Sequence, residues 1–248
     1  MSSRNGPHIP AGLSERLRSA RRVFVLTGAG VSAESGVPTF RGGGGAATWK
    51  GMPFEVISSA EMVRRDLPAV WEWFDYRRTA LAHCRPNPAH ETLARWQESF
   101  EELTLVTQNI DGLHAAAGSR EVLELHGNVW VARCLACDAR RDIRELGDER
   151  PPACPGCGGR MRPDVVLFGE MLPPGVYERA AARASRADIC LVVGTSAVVY
   201  PAANLPLIAR RAGAHLVEVN PELTPLSEVC DATVQGQAGE ILPRLDPL

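Results

Sequence analysis

The run Val23-Phe24-Val25-Leu26-Thr27-Gly28-Ala29-Gly30-Val31-Ser32-Ala33-Glu34-Ser35-Gly36 constrains this chain more than any other stretch. Its β-branched, apolar start reads as a buried strand. It breaks at Gly28-Ala29-Gly30, where absent side chains let backbone N–H groups approach a phosphate. Residues from Val31 to Ser35 then open a helix whose N-terminal dipole faces that anion. Strand, glycine turn and helix in this order form a dinucleotide-binding unit, with Ala33 in the third small-residue position of the fingerprint. About 20 residues further on, where such units hold a ribose hydroxyl with an acidic side chain, stand Thr48-Trp49-Lys50. That argues against a hydride-transferring dehydrogenase, and a tight turn without a ligand is an equally simple reading of the segment alone.

The 248 residues suffice for one large domain with a smaller insertion. A net charge of −2 gives no electrostatic case for binding nucleic acid or an anionic membrane. No apolar run approaches the ~18 residues that cross a bilayer. Residues 1–10 lack the apolar core of a secretory signal, so a cytoplasmic address is expected. Arginine far outnumbers lysine, as in GC-rich genomes. Of seven cysteines, four form Cys134-x-x-Cys137 and Cys154-x-x-Cys157, with 16 residues between the pairs. Two such knuckles complete a tetrahedral Zn2+ site, and four thiolates leave no open position for chemistry, so the metal is expected to be structural. A redox dithiol would need only one pair. Cys84, Cys190 and Cys230 read as small buried hydrophobes.

Four glycines at 42–45 form a loop beside the glycine turn, a lid or a plain linker. Residues 53–81 carry apolar positions at helical spacing, and the aromatic group Trp71, Trp73, Phe74 and Tyr76 reads as core. Residues 89–96 form a further helix. The strand at 103–107 runs into Gln108-Asn109-Ile110-Asp111, and a short one at 122–125 into His126-Gly127-Asn128. An apolar run at 162–168 ends in Phe168-Gly169-Glu170, and residues 177–187 are helical. The strand at 189–193 meets Gly194-Thr195-Ser196; a helix at 201–212 stops at Gly213; the strand at 215–219 meets Asn220-Pro221-Glu222. A last short strand, 232–234, precedes a helix starting near Gly239. Four strands ending in small or polar clusters describe one edge of a doubly wound parallel α/β sheet around an extended ligand.

These motifs, with Pro38-Thr39-Phe40-Arg41, Asp111-Gly112-Leu113-His114 and the four cysteines, resemble those of the sirtuins, NAD-dependent protein-lysine deacylases, in the family's own order over residues 22–222. The resemblance implies a Rossmann-like NAD-binding domain of residues 11–42, 82–128 and 164–248. A helical module (43–81) and a zinc ribbon (129–163) form the small domain, and residues 1–10 a flexible end. It implies NAD consumed as an ADP-ribosyl donor: nicotinamide leaves as the acyl oxygen of the modified lysine attacks the ribose carbon, and O-acyl-ADP-ribose is released. The implied cofactor contacts are Gly28, Ala29, Gly30, Ser32, Ala33, Glu34, Thr39, Phe40, Arg41, Gln108, Asn109, Ile110, Asp111, His126, Gly194, Thr195, Ser196, Asn220, Pro221, Glu222 and Ala238. Among them Asn109 and Asp111 place nicotinamide and ribose, Phe40 covers the reactive face, and Arg41 positions cofactor and water. His126 is the implied general base, near its ordinary pKa of ~6.5, and His114 is structural. Substrate is an acyl-lysine side chain on an extended peptide that pairs with Val165, Val166, Leu167 and Phe168.

Sirtuins that remove succinyl or malonyl groups carry Tyr-x-x-Arg in the acyl pocket. The matching residues are Phe74 and Arg77, so preference for acidic acyl groups is expected to be weakened by about 1 to 2 kcal/mol but retained. A monomer is the expected state. Two other readings stay open here: transfer of ADP-ribose to protein, and a non-catalytic NAD-sensing zinc-ribbon module.

Overall fold

The computed structural model describes residues 8–38 and 48–246, so Thr39, Phe40, Arg41 and the four-glycine loop lie outside the described residues. The chain runs α1 (Leu13–Ser19), β1 (Arg22–Thr27), α2 (Ala29–Ala33), β2 (Thr48–Trp49), β3 (Met52–Pro53), α3 (Phe54–Ile57), α4 (Ala60–Arg65), α5 (Leu67–Leu81) and α6 (Pro88–Ser99). It continues through β4 (Glu102–Thr107), α7 (Leu113–Ala116), β5 (Val122–Glu124), β6 (Gly127–Cys134), β7 (Arg140–Asp142) and β8 (Met161–Val165). Last come α8 (Val176–Ala184), β9 (Ile189–Val193), α9 (Asn204–Arg211), β10 (His215–Asn220), β11 (Ala232–Gln235) and α10 (Ala238–Leu245). No helix among the described residues is long and apolar enough to cross a membrane.

Six strands form one parallel sheet in the order β11-β10-β9-β1-β4-β5, the expected α/β class. The period-two alternation of side chains explains why both faces must be covered. Val23 and Val25 of β1, with Ile189, Leu191 and Val193 of β9, pack under α1, α6 and α10 against Leu17, Leu93, Trp96 and Ile241. Phe24, Leu26, Cys190 and Val192 point the other way, onto Ala180, Ala184, Leu205 and Ala209 of α8 and α9. Cys190 is therefore the buried hydrophobe expected of it, whereas Cys84 and Cys230 are only half-buried.

A separate three-stranded antiparallel sheet, β7-β6-β8, shares a core with α3, α4 and α5. Trp71 and Trp73 are fully buried there, and Trp71 Nε1 donates to the Met161 carbonyl at 2.8 Å. Tyr76, in contrast, is exposed. Thr48-Trp49, where the sequence lacks an acidic residue after the glycine turn, belongs to the separate β2–β3 hairpin and not to the main sheet, in which β1 lies between β4 and β9. Four element bounds also differ. Helix α2 starts at Ala29, not Val31; α9 starts at Asn204, after a turn; α8 ends at Ala184; and β8 ends at Val165. Strands β6 and β7 had no sequence signal, because β6 is only half-buried and carries a bulge between Asn128 and Ala132 that breaks its alternation.

Candidate active site

The carboxyl ends of β10, β9, β1 and β4 border a cleft of about 1560 Å³. Its wall contains Gly28, Ala29, Gly30, Gln108, Asn109, Ile110, Asp111 and His126 from one side of the sheet edge. Gly194, Thr195, Ser196, Asn220, Pro221 and Glu222 continue it, and Phe74, Arg77, Val165, Val166, Leu167 and Phe168 close it. Four expected contacts do not lie on this wall. Ser32 is fully buried behind it and Ala33 is exposed. Glu34 accepts a hydrogen bond from the Gly239 N–H at 2.9 Å, and Ala238 is buried at the start of α10, so these two tie α2 to the last helix.

The glycine turn has a different physical reason from the one expected. Gly28 N–H donates to the Val193 carbonyl at 3.0 Å and Gly30 N–H to Gly194 O at 2.7 Å, so neither is turned to a phosphate. A Cβ on Gly30 would sit 2.8 Å from Gly194 Cα, and one on Gly194 would sit 2.4 Å from Val31 N. Bare backbone is needed because the β1 and β9 turns cross in contact, which brings the two loops to one point of the cleft wall.

Behind the wall a buried polar network fixes the orientation of Asn109 and Asp111. The Asn87 N–H donates to His90 Nδ1 at 3.3 Å, so His90 carries its proton on Nε2, 3.3 Å from Ser32 Oγ. The same oxygen accepts from Asn109 Nδ2 at 3.0 Å, leaving the Ser32 hydroxyl proton for the Asp111 carboxylate. Asn109 Nδ2 also reaches the Gly28 carbonyl at 3.0 Å, which turns its amide oxygen away from these partners. Burial pushes the Asp111 pKa up, against the Leu113 N–H and Ser32 bonds that favour the carboxylate. His114 Nε2 lies 2.9 Å from Thr27 Oγ1, and its ring is 4.8 Å from that of His90. Burial lowers His90 to about 4 and His114 to about 3, so both are neutral supports, as expected for His114.

His126 Nδ1 sits 2.8 Å from the Gln108 carbonyl and donates to it, which leaves the Nε2 lone pair for other work. Its pKa is not at the ordinary value: burial lowers it, opposed in part by that carbonyl. Gly127 follows because a Cβ there, at φ +77, would fall 2.0 Å from Asp164 O. Glu124 was not singled out by sequence. It accepts from Asn128 Nδ2 at 2.7 Å, and burial, with Asp111 and Asp164 nearby, pushes its pKa up to about 7.

The 165–168 segment is held from below. Buried Arg162 bonds the Val165 carbonyl at 2.8 Å and both oxygens of Glu170, and Glu170 accepts the Leu167 N–H at 2.9 Å. Val166 N–H goes to His126 O, Phe168 N–H to Ser58 O, and Phe168 O accepts from Ala60. Most of the backbone expected to pair with a peptide is thus already bonded; the Val166 carbonyl has no partner among the described residues. Phe74 and Arg77 are buried on α5, Arg77 with its guanidinium 5.7 Å from the Trp73 ring and its pKa lowered by burial, so it is not a solvated helix charge.

Away from the cleft, the sulfurs of Cys134, Cys137, Cys154 and Cys157 all lie within 4.8 Å of one another. Cys134–Cys157, Cys137–Cys154 and Cys137–Cys157 are 3.5, 3.8 and 3.4 Å apart. Four Zn–S bonds of about 2.3 Å at tetrahedral angles require sulfurs about 3.8 Å apart, so this set fits zinc and not a disulfide.

A protein from Pyrobaculum aerophilum, named NAD-dependent protein deacylase 2, is 47% identical over 94% of this chain and 93% of its own. A solved structure of a Sir2 homologue in complex with NAD has a TM-score of 0.88 at 41% identity, covering 97% of this chain and 93% of the other. Another, of Sir2 bound to an acetylated peptide, has a TM-score of 0.81 at 32% identity over 93% and 94%. Residues 28–201 match the model of the Sir2 family, and the chain belongs to that family.

Proposed function

We propose that this chain is an NAD-dependent protein-lysine deacylase working in the cleft described above. The observation that carries the reading is the convergence, in one cavity, of His126 with its Nε2 lone pair, the network-oriented Asn109 and Asp111, and the Val166 carbonyl, which has no partner among the described residues. The cleft's size and its loops from β1, β4, β9 and β10 suit an extended dinucleotide with a peptide beside it. NAD supplies the ADP-ribosyl group that takes up the acyl group, with nicotinamide as leaving group and O-acyl-ADP-ribose as product.

The chain's own residues orient and move protons. Asn109 presents its amide oxygen and Asp111 its carboxylate to the nicotinamide-ribose region, both fixed by Ser32. His126, neutral at pH 7, withdraws a proton at Nε2 while the Gln108 carbonyl stabilises the resulting imidazolium through Nδ1–H. The Val166 carbonyl accepts the acyl-lysine amide N–H. Arg77 faces the far end of the acyl chain beside Phe74, so a distal carboxylate meets a buried guanidinium. The four cysteines would hold a zinc ion that fixes the ribbon, and with four thiolates as ligands it would have no open position for substrate.

We divide the chain into the NAD-binding domain of 11–42, 82–128 and 164–248 and the small domain of 43–81 and 129–163; the shared core of α3–α5 with β6 and β8 supports that division. A cytoplasmic address completes the reading, since zinc thiolates persist in a reducing compartment. The test is nicotinamide release from NAD with acetyl-lysine and succinyl-lysine peptides. Release that depends on peptide and yields O-acyl-ADP-ribose is expected; adenine label left on protein would instead mean ADP-ribosyl transfer.

A further inference from the structure

Among 27 lysine and arginine residues Lys50 is the single lysine. Arginine stays charged and is a poor acyl acceptor, so Lys50 carries the one side-chain amine of the sequence. It occupies the β2–β3 turn, where Lys50 and Gly51 both have positive φ, 49 and 78, the geometry of a type I′ hairpin turn. A side chain in that left-handed conformation is disfavoured, and a hairpin of two residue pairs opens readily to an extended segment. The side chain is 59% exposed, paired with Glu72 and 4.7 Å above the Trp49 ring. Glu72 lies on α5, the helix of Phe74 and Arg77. Trp49 meets Trp73 edge-on at 6.0 Å, and Trp73 lines the cleft.

We propose that Lys50 is an acylation site of this protein and, when acylated, a substrate for a second copy of the same chain. The second half rests on the deacylase reading. In the forward step the deprotonated Nζ bonds the carbonyl carbon of an acyl thioester; the C–S bond breaks and the thiolate leaves, taking the proton. The amide product is neutral, so the Glu72 pair and the contact with Trp49 are both lost and α5 is loosened beside the acyl pocket. Lys50 does not line the cleft, which makes removal an intermolecular event.

The experiment incubates the full-length His126→Ala variant with acetyl-coenzyme A and maps adducts by peptide mass, which separates Lys50 from the α-amino group. One side-chain adduct, at Lys50 and absent in Lys50→Arg, is expected; no adduct at Lys50 overturns the site. A trace of wild-type protein with NAD is then expected to strip the adduct, and an acetyl-lysine peptide runs alongside. If the peptide is turned over and the Lys50 adduct stays, the second half is overturned; if neither is turned over, the deacylase reading fails while the mapped site stands. The Lys50→Gln variant, whose neutral side chain stands in for the acylated one and cannot be stripped, is expected to show a several-fold higher KM for acyl-peptide at unchanged KM for NAD, and an unchanged peptide KM would sink the link to α5.

Discussion

With Nδ1–H given to Gln108, His126 can act only through Nε2, and only when uncharged. Burial places its pKa below that of free imidazole, so the acid limb of kcat/KM is expected to have its midpoint below ~6.5, with full activity at pH 7. A limb centred above 7 would rule His126 out as the base. Removing it in His126→Ala is expected to lower kcat by about 100-fold or more. Arg77 poses a separate question of chain selection. In Arg77→Met the loss of charge-assisted bonds is expected to reduce kcat/KM for a succinyl-lysine peptide by about 10- to 100-fold, with the acetyl-lysine value little changed. An equal effect on both peptides would make Arg77 a support of α5 instead.

At the scale of elements, the ribbon and α5 stand or fall together. Trp71 Nε1 bonds Met161 O, Arg78 bonds the Val129 carbonyl at 3.0 Å, and Cys134 and Cys154 belong to the same core as Trp71 and Trp73. Gly159 is pinned as well, since a Cβ there would sit 3.2 Å from Cys134 Sγ and 3.3 Å from Cys157 Sγ. One zinc per chain is therefore expected by elemental analysis, and its removal by a chelator should lower Tm and activity together; four titratable thiols with unchanged Tm would refute the structural role. The cysteine spacing made this metal site legible from sequence, because ligand chemistry is local. The parallel strands were legible for a related reason, their apolar runs being buried on both faces. Strands β6 and β7 were not, since β6 is half-buried and irregular and β7 is three mostly exposed charged residues, so neither has an alternation to detect. Nor was the reason for Gly28 and Gly30, which lies in Gly194, far away in sequence. His126, Asn109 and Asp111 could be named from the family motifs, but the His90–Ser32 support arises only when α6 packs behind the loop.

The whole molecule's response to acid follows from groups buried in opposite senses. His90 and His114 have folded pKa values of about 4 and 3 against ~6.5 unfolded, so below pH ~6.5 the unfolded chain takes up more protons. Each contributes stability that is complete above pH ~6.5 and is lost by ~1.4 kcal/mol per unit as pH falls toward its folded value. Glu124 works the other way: its folded pKa of about 7 exceeds the ~4.3 of an unfolded glutamate, so between these values falling pH adds stability at a similar slope. Two histidines against one glutamate leave a net loss of ~1.4 kcal/mol per unit between pH 6.5 and 4.5, increased by the lowered pKa values of His126 and His215 and opposed by the raised one of Asp111. Urea midpoints are therefore expected to fall from pH 7.5 to pH 5. Glu124→Gln keeps an acceptor for Asn128 Nδ2 but cannot titrate, so in that variant the fall should be steeper than in the wild type by about 1.4 kcal/mol per unit. A variant slope equal to that of the wild type would mean that Glu124 ionises normally in the folded protein. It would then be a solvated charge at the end of β5 and not a half-buried neighbour of Asp111.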